Sequence, residues 1–260
     1  MSIRKTLLAS AFAASALLAT GAAHAAVVTF ENIVGTWSNA IGGSSVSYSG
    51  NGSSDTTVKW GTPSGQPQQS GYRFQGVTSP TVPTAILPPS PSNDLVLGTF
   101  THFNFPISSG TGAEGVRLTI SADVKVDGVL QSNYSFVYDF THFETPNGSN
   151  PCANGSANNT GVNINGCADR VTMNYNSLSD SFVVNGDLYT LDIRGFELLD
   201  GSKVYGFWTT EDMTNSAYIL GRVALTREVI GDVPLPGTAL LLGAGLFALG
   251  GFKRRSASRG

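Results

Sequence analysis

From Ala26 to about Asp232, short runs of β-branched and aromatic residues alternate with Gly, Asn, Asp and Ser. No long segment repeats its apolar positions with the 3.6-residue period of a helix. In "VRLTISADVKV" (Val116 to Val126), Val116, Leu118 and Ile120 share one face, while Arg117, Thr119 and Ser121 share the other. Successive side chains of an extended chain point to opposite sides, so this pattern predicts a strand buried on one face. The next run, Val129 to Phe140, follows across Asp127-Gly128, a pair that readily adopts the positive φ angles of a tight hairpin. Asn185-Gly186 repeats the device between "SFVV" and "LYTLDIRGF", and Asp200-Gly201 is a looser form before "KVYGFWTT". A last strand is expected in "AYILGRVALT", Ala217 to Thr226. Many short strands joined by such turns predict an all-β, antiparallel β-sandwich, jelly-roll-like, with a barrel as the alternative closure. Helix is expected only at the two ends.

Proline interrupts the pattern. Pro63, Pro67, Pro80, Pro83, Pro88, Pro89 and Pro91 lie in "GTPSGQPQQSG" and "SPTVPTAILPPSPSND". Proline has no N–H for a sheet ladder. These stretches read as surface loops of one domain or as a linker. The loop reading is favoured because the strand-poor segment before Lys59 is too short for a second core.

The ends differ from the body. Arg4 and Lys5, an apolar stretch from Thr6 to Leu18, and the small-x-small triplet Ala23, His24, Ala25 form the three parts of a secretory signal over residues 1–25, with cleavage between Ala25 and Ala26. At the other end, residues 237–252 are 16 apolar and small residues, about 24 Å as a transmembrane helix against a hydrocarbon core of about 30 Å. Lys253, Arg254 and Arg255 hold its far end, with the tail 256–260, in the cytoplasm. Pro234 and Pro236 keep the preceding segment extended.

Removing both ends changes the charge. Six of the 15 basic residues lie in them, whereas all 18 acidic residues lie between Glu31 and Asp232. The body 26–232 therefore holds 9 basic and 18 acidic side chains, a net charge of −9 with histidine neutral. Such a surface repels phosphate, which argues against nucleic-acid partners. Cys152 and Cys167 flank one polar loop, and export to an oxidising compartment favours their pairing as a disulfide over a zinc site.

Candidate chemistry is sparse. "FTHF" occurs at Phe100 to Phe103 and again at Phe140 to Phe143, and His102 and His142 are the histidines left after signal removal. With Glu114, Asp139 or Glu144 they form a possible divalent-metal set. The favoured reading is structural: each Thr-His pair ends a strand, its imidazole bonded to a backbone carbonyl and its phenylalanines packed inside. Calcium is a second possibility, with Asp139, Glu144, Asn147 and Asp169 as ligands, although the twelve-residue helix-flanked calcium loop is absent. The favoured reading there is a flexible polar loop stapled by the cysteines, so no cofactor is expected. The pairs Asp123/Asp127 and Glu211/Asp212 read as solvated turn residues rather than a glycosidase acid and base. No G-x-S-x-G elbow or phosphate loop is present.

Two segments carry family resemblance. Val233-Pro234-Leu235-Pro236, the apolar run and Lys253-Arg254-Arg255 over residues 233–255 closely resemble the PEP-CTERM sorting tails of Gram-negative bacteria, in their VPLPA-type variant. Leu235 stands where the main class has Glu. The resemblance implies a membrane-embedded exosortase as partner, and an inner-membrane intermediate facing the periplasm before surface display or release. "GTFTHFNFPI", "DFTHFETPN", "CADRV", "VNGDLYTLDIRGF" and "WTTEDMTNSAYILGRV" make the region 94–226 similar to choice-of-anchor K domains, exported β-rich modules. That resemblance transfers no catalytic residue. The expected function is a non-enzymatic, exported surface or matrix protein associated with exopolysaccharide or biofilm. Trp37, Trp60, Tyr72 and Trp208 are candidate stacking faces for sugar, with burial the favoured reading for most tryptophans. A secreted glycan-active enzyme or carbohydrate-binding module and a His102/His142 metal module are the alternatives.

Overall fold

The computed structural model describes residues 25–78, 80–174 and 181–227. The signal segment before Ala25, the sorting motif, the basic cluster and the expected helix 237–252 lie outside them. Among the described residues no helix is long and apolar enough to cross a membrane.

Fourteen strands account for most of the described chain. In order they are β1 (Ala26–Gly42), β2 (Ser47–Ser49), β3 (Asp55–Trp60), β4 (Ser70–Gly76), β5 (Thr84–Leu87), β6 (Leu95–Asn104) and β7 (Ala113–Val126). They continue as β8 (Val129–Phe143), β9 (Asp169–Asn174), β10 (Ser181–Val184), β11 (Asp187–Glu197), β12 (Lys203–Val204), β13 (Gly206–Thr209) and β14 (Met213–Arg227). Two antiparallel sheets result. One runs β13-β9-β8-β7-β1-β5; the other runs β10-β11-β14-β6-β4-β3-β2, with β12 on β11.

The alternating run at Val116 forms β7 as expected, with Val116, Leu118 and Ile120 buried and Arg117, Thr119 and Ser121 half-exposed. Asp127 and Gly128 take φ of 50° and 79° and close the β7–β8 hairpin, pairing Val126 with Val129. Asn185 and Gly186, at 55° and 89°, do the same between β10 and β11.

Two segments read as strand-poor are strands. β1 has 17 residues and lies between β7 and β5. Its inward set shifts from even positions (Val28, Phe30) to odd ones (Ile33, Trp37), because Asn32 takes positive φ where the register with β7 slips between Glu31 and Val34; Asn39 does the same at the second slip, between Ser38 and Ile41. Each bulge adds one residue and so reverses the parity of everything after it. Gly35 also lies in this strand, and a Cβ there would sit 2.6 Å from the Phe74 ring of the opposite sheet. β5 lies inside the proline-rich stretch, paired with β1 from Ala26↔Leu87 to Thr29↔Thr84. It is a sheet edge with Pro83 and Pro88 at its two ends, where a missing N–H breaks no ladder.

Side chains from both sheets meet in one core. Phe100 of β6 stacks on Phe140 of β8 with ring centroids 5.2 Å apart, and Phe196, Trp37 and Tyr72 pack around them. After β12 the chain crosses to β13, on the edge of the other sheet, then returns through Thr210–Asp212 into β14. The β8–β9 connection carries the Cys152–Cys167 disulfide, Cα atoms 5.3 Å apart. This loop was expected to be loose. Instead Asn163 Nδ2 donates to Asn154 Oδ1 (3.0 Å), Asn154 Nδ2 returns a bond to Asn163 Oδ1 (2.9 Å), and Asn158 Nδ2 donates to the Asn147 carbonyl (2.8 Å).

Candidate functional site

The end of the molecule where β6, β8 and β13 finish and β9 begins holds a buried polar cluster. On β6 the inward parity that buries Phe100 also buries His102 and Asn104; on β8 the parity of Phe140 carries to His142. The two imidazole centroids are 5.0 Å apart, beneath Trp60 and Tyr72.

Each ring nitrogen faces a protein group. The Tyr72 hydroxyl donates to His142 Nδ1 at 2.7 Å, which places the ring proton on Nε2, 3.2 Å from Glu144 Oε2. His102 Nδ1 lies 2.9 Å from Thr209 Oγ1, and its Nε2 lies 3.4 Å from Ser70 Oγ. The histidines thus stand near strand ends with Phe100 and Phe140 inside, as expected, but their partners are side chains rather than backbone carbonyls. Phe143 is exposed. Burial pushes both histidines below their usual range, His102 furthest, and pushes the Tyr72 hydroxyl well up. The rings are neutral at physiological pH, so the approach of Glu144 and Asp169 to His142 is not a charge pair.

Three carboxyls share this end. Asp169 opens β9, and its Oδ1 accepts from Thr145 N–H at 2.7 Å, while Oδ2 stands 3.9 Å from His142 Nε2. Glu144 follows β8. Glu211, 1% exposed, hangs from the β13–β14 turn beside the amides of Asn104 and Asn147. Burial pushes Glu144 and Asp169 up, and the Glu144 charge raises Asp169 further. Burial likewise lifts Glu211 to about 7. Asp169 Oδ2, both Glu211 carboxyl oxygens, Asn104 Oδ1 and Asn147 Oδ1 are buried without a hydrogen-bond partner. A cleft of about 590 Å³ reaches the cluster past His142, Glu144 and Asn147.

The structure sorts the expected residues. His102, His142, Glu144, Asn147 and Asp169 come together; the possible ligand atoms of His102, His142 and Asp169 all lie within 4.8 Å of one another. Asp139 does not join them. It is three residues from His142, an odd separation that turns it to the other face of β8, where Arg117 donates to it at 2.7 and 3.1 Å. Glu114 is exposed on the cleft wall. Glu211 is the main correction: it is buried in the cluster rather than solvated, whereas Asp123, bonded to Asn32 and Asn133, and Asp127, in its turn, are surface residues. Asn104 and Tyr72 were missed as cluster members; the even spacing of Asn104 from His102 was the available signal. Trp37, Trp60 and Tyr72 are fully buried and offer no stacking face, while Trp208 is half-buried with Arg170 over its ring at 5.8 Å.

A scan against protein-family models finds no match, and a search of curated proteins finds none either.

Proposed function

We propose that the chain is an exported, non-enzymatic surface or matrix protein of a Gram-negative bacterium, built on a jelly-roll-like β-sandwich of the choice-of-anchor K type. An exosortase receives it through the PEP-CTERM-like tail, after transient residence in the inner membrane, and its outer partner is extracellular polysaccharide. The observation that carries this is where the strands begin and end. β1 starts at Ala26, directly after the cleavage triplet, and β14 is described as far as Arg227, ahead of the Val233–Pro236 motif. All described strand pairings lie between Ala26 and Arg227, so cleavage before Ala26 and near Val233–Pro236 leaves every one of them in the body. The Cys152–Cys167 bond fits an oxidising compartment.

Mass spectrometry of the protein from its native host tests this: mature chains begin at Ala26 and end near Val233–Pro236. Recovery of Gly260 on all mature chains overturns the sorting reading. A glycan-active enzyme is the competing reading, favoured by Glu144 and Asp169 at a cleft. Release of reducing ends from the producer's polysaccharide, lost in Glu144→Gln, would displace the non-enzymatic reading.

A further inference from the structure

The unpartnered atoms of the cluster share one chemical character. Asp169 Oδ2, Glu211 Oε1 and Oε2, Asn104 Oδ1 and Asn147 Oδ1 are all acceptor oxygens, on side chains from four separate segments. Once the carboxyls are ionised, these acceptors cannot satisfy one another. Asn104 Nδ2 is already committed to the Thr209 carbonyl at 3.0 Å, and Asp169 Oδ1 to Thr145 N–H, which fixes the orphan oxygens rather than leaving them free to turn away. The imidazoles are better partnered: three of the four ring nitrogens bond Tyr72, Glu144 or Thr209, and His102 Nε2 lies 3.4 Å from Ser70 Oγ, whose proton goes to the Phe103 carbonyl.

We infer that Asn104, Asn147, Asp169 and Glu211 form a site for a hard divalent cation of the calcium class, with Glu144 at its mouth. Carboxylate and amide oxygens are the ligands such ions select, whereas zinc prefers imidazole and thiolate. Six to eight oxygens complete a calcium shell; the four orphan-bearing side chains supply five, which leaves one or more positions for water. The two carboxylates, Asp169 and Glu211, balance the charge of the ion once it is seated. The cleft edge at Glu144 and Asn147 is the way in. The ion would bridge the end of β6, the β8–β9 loop, the start of β9 and the β13–β14 turn, and so clamp one sheet to the other. This goes beyond export and display and does not depend on whether the tail is cut.

The test uses the full-length, disulfide-bonded chain, exported by the expression host, purified in detergent and stripped with chelator. Tb³⁺ and Ca²⁺ are the probes. Trp60, whose ring lies 5.3 Å from that of His142, and Tyr72 serve as antennae for Tb³⁺ luminescence. Expected are sensitised emission displaced by Ca²⁺, and a Tm raised by about 5–10 °C at a hundredfold excess of Ca²⁺ over its Kd. Glu211→Gln loses both, Asn147→Ala shifts the Ca²⁺ midpoint upward about tenfold, and Asp55→Asn, remote on β3, changes neither. Silence of the unaltered chain towards Tb³⁺ and Ca²⁺ overturns the site, as does an unchanged response in a folded Glu211→Gln variant. A Zn²⁺ response abolished by His142→Gln but kept by Glu211→Gln, with Ca²⁺ silent, overturns it in favour of an imidazole site.

Discussion

Glu211→Gln in chelator is expected to stabilise the protein at pH 8, although it removes a buried side chain's charge from the centre of the cluster. Burial lifts the Glu211 carboxyl from 4.5, the value of a free glutamate, to about 7. Between those values the folded chain keeps a proton that the unfolded chain has released, so unfolding releases it and stability falls as pH rises. The interval of about 2.5 pH units, at 1.36 kcal/mol for each, makes the loss about 3 kcal/mol, complete above pH 7 and absent below 4.5. Glutamine does not ionise and escapes it. Removing the Glu211 charge also relieves Asp169, which that charge pushes up, so the second effect has the same sign. Thermal melts in chelator from pH 4.5 to 8.5 should show the variant gaining on the unaltered chain by about 6–12 °C across the range. With saturating Ca²⁺ at pH 8 the order should invert, because the ion then stabilises the ionised glutamate and glutamine supplies one neutral oxygen. A difference that stays flat with pH, or a variant less stable than the parent at pH 8 in chelator, refutes the reasoning.

Tyr72→Phe removes the donor 2.7 Å from His142 Nδ1 and leaves a buried acceptor unpartnered; urea unfolding should show a loss of about 1–3 kcal/mol. A loss below about 0.5 kcal/mol would show that the hydroxyl is not the fixed partner of His142. The double variant Cys152→Ala/Cys167→Ala opens a 15-residue link and should cost about 3 kcal/mol in equilibrium unfolding. Its Ca²⁺ midpoint should also rise, since Asn147 precedes the stapled loop and Asp169 follows it.

Parity along strands was the most legible signal, and the errors arise where parity was broken or not applied. The alternation of β7 and its Asp127-Gly128 turn predicted a hairpin, and the hairpin forms with Val126 paired to Val129. β1 escaped notice because Asn32 and Asn39 each insert a residue, so its inward set cannot be read with one phase. β5 hid among prolines that are harmless at an edge. The same parity rule, applied to the "FTHF" echo, puts Asn104 beside His102 and turns Asp139 away from His142. Glu211 could not be placed this way. "TTED" has the composition of a solvated turn, and its burial comes from β13 and β14 belonging to different sheets.

That crossover ties the site to the stapled loop. A turn that must pass between two sheets covers the open end of the core, and here it lowers Glu211 onto side chains that the Cys152–Cys167 loop presents from the other side. Asn165 Nδ2 donates to the Glu211 carbonyl at 3.1 Å, and a Cβ at Gly166 would touch both Glu211 and Asn147 within 3.4 Å. Gly166 has φ of 126°, so the loop reaches the turn only with a glycine there. Thr209 connects the layers further, its hydroxyl facing His102 and donating to the Asp169 carbonyl at 3.1 Å. An apolar plug would cover a sheet end with less electrostatic cost, since three buried carboxyls oppose one another at neutral pH. Their retention makes sense if closure is conditional: weak in the bare chain, firm when a cation from outside the cell joins the loop, the turn and both sheets. Calcium sites of extracellular modules operate at about 10⁻⁴–10⁻³ M, so on the proposed export route the fold would tighten only outside the cell.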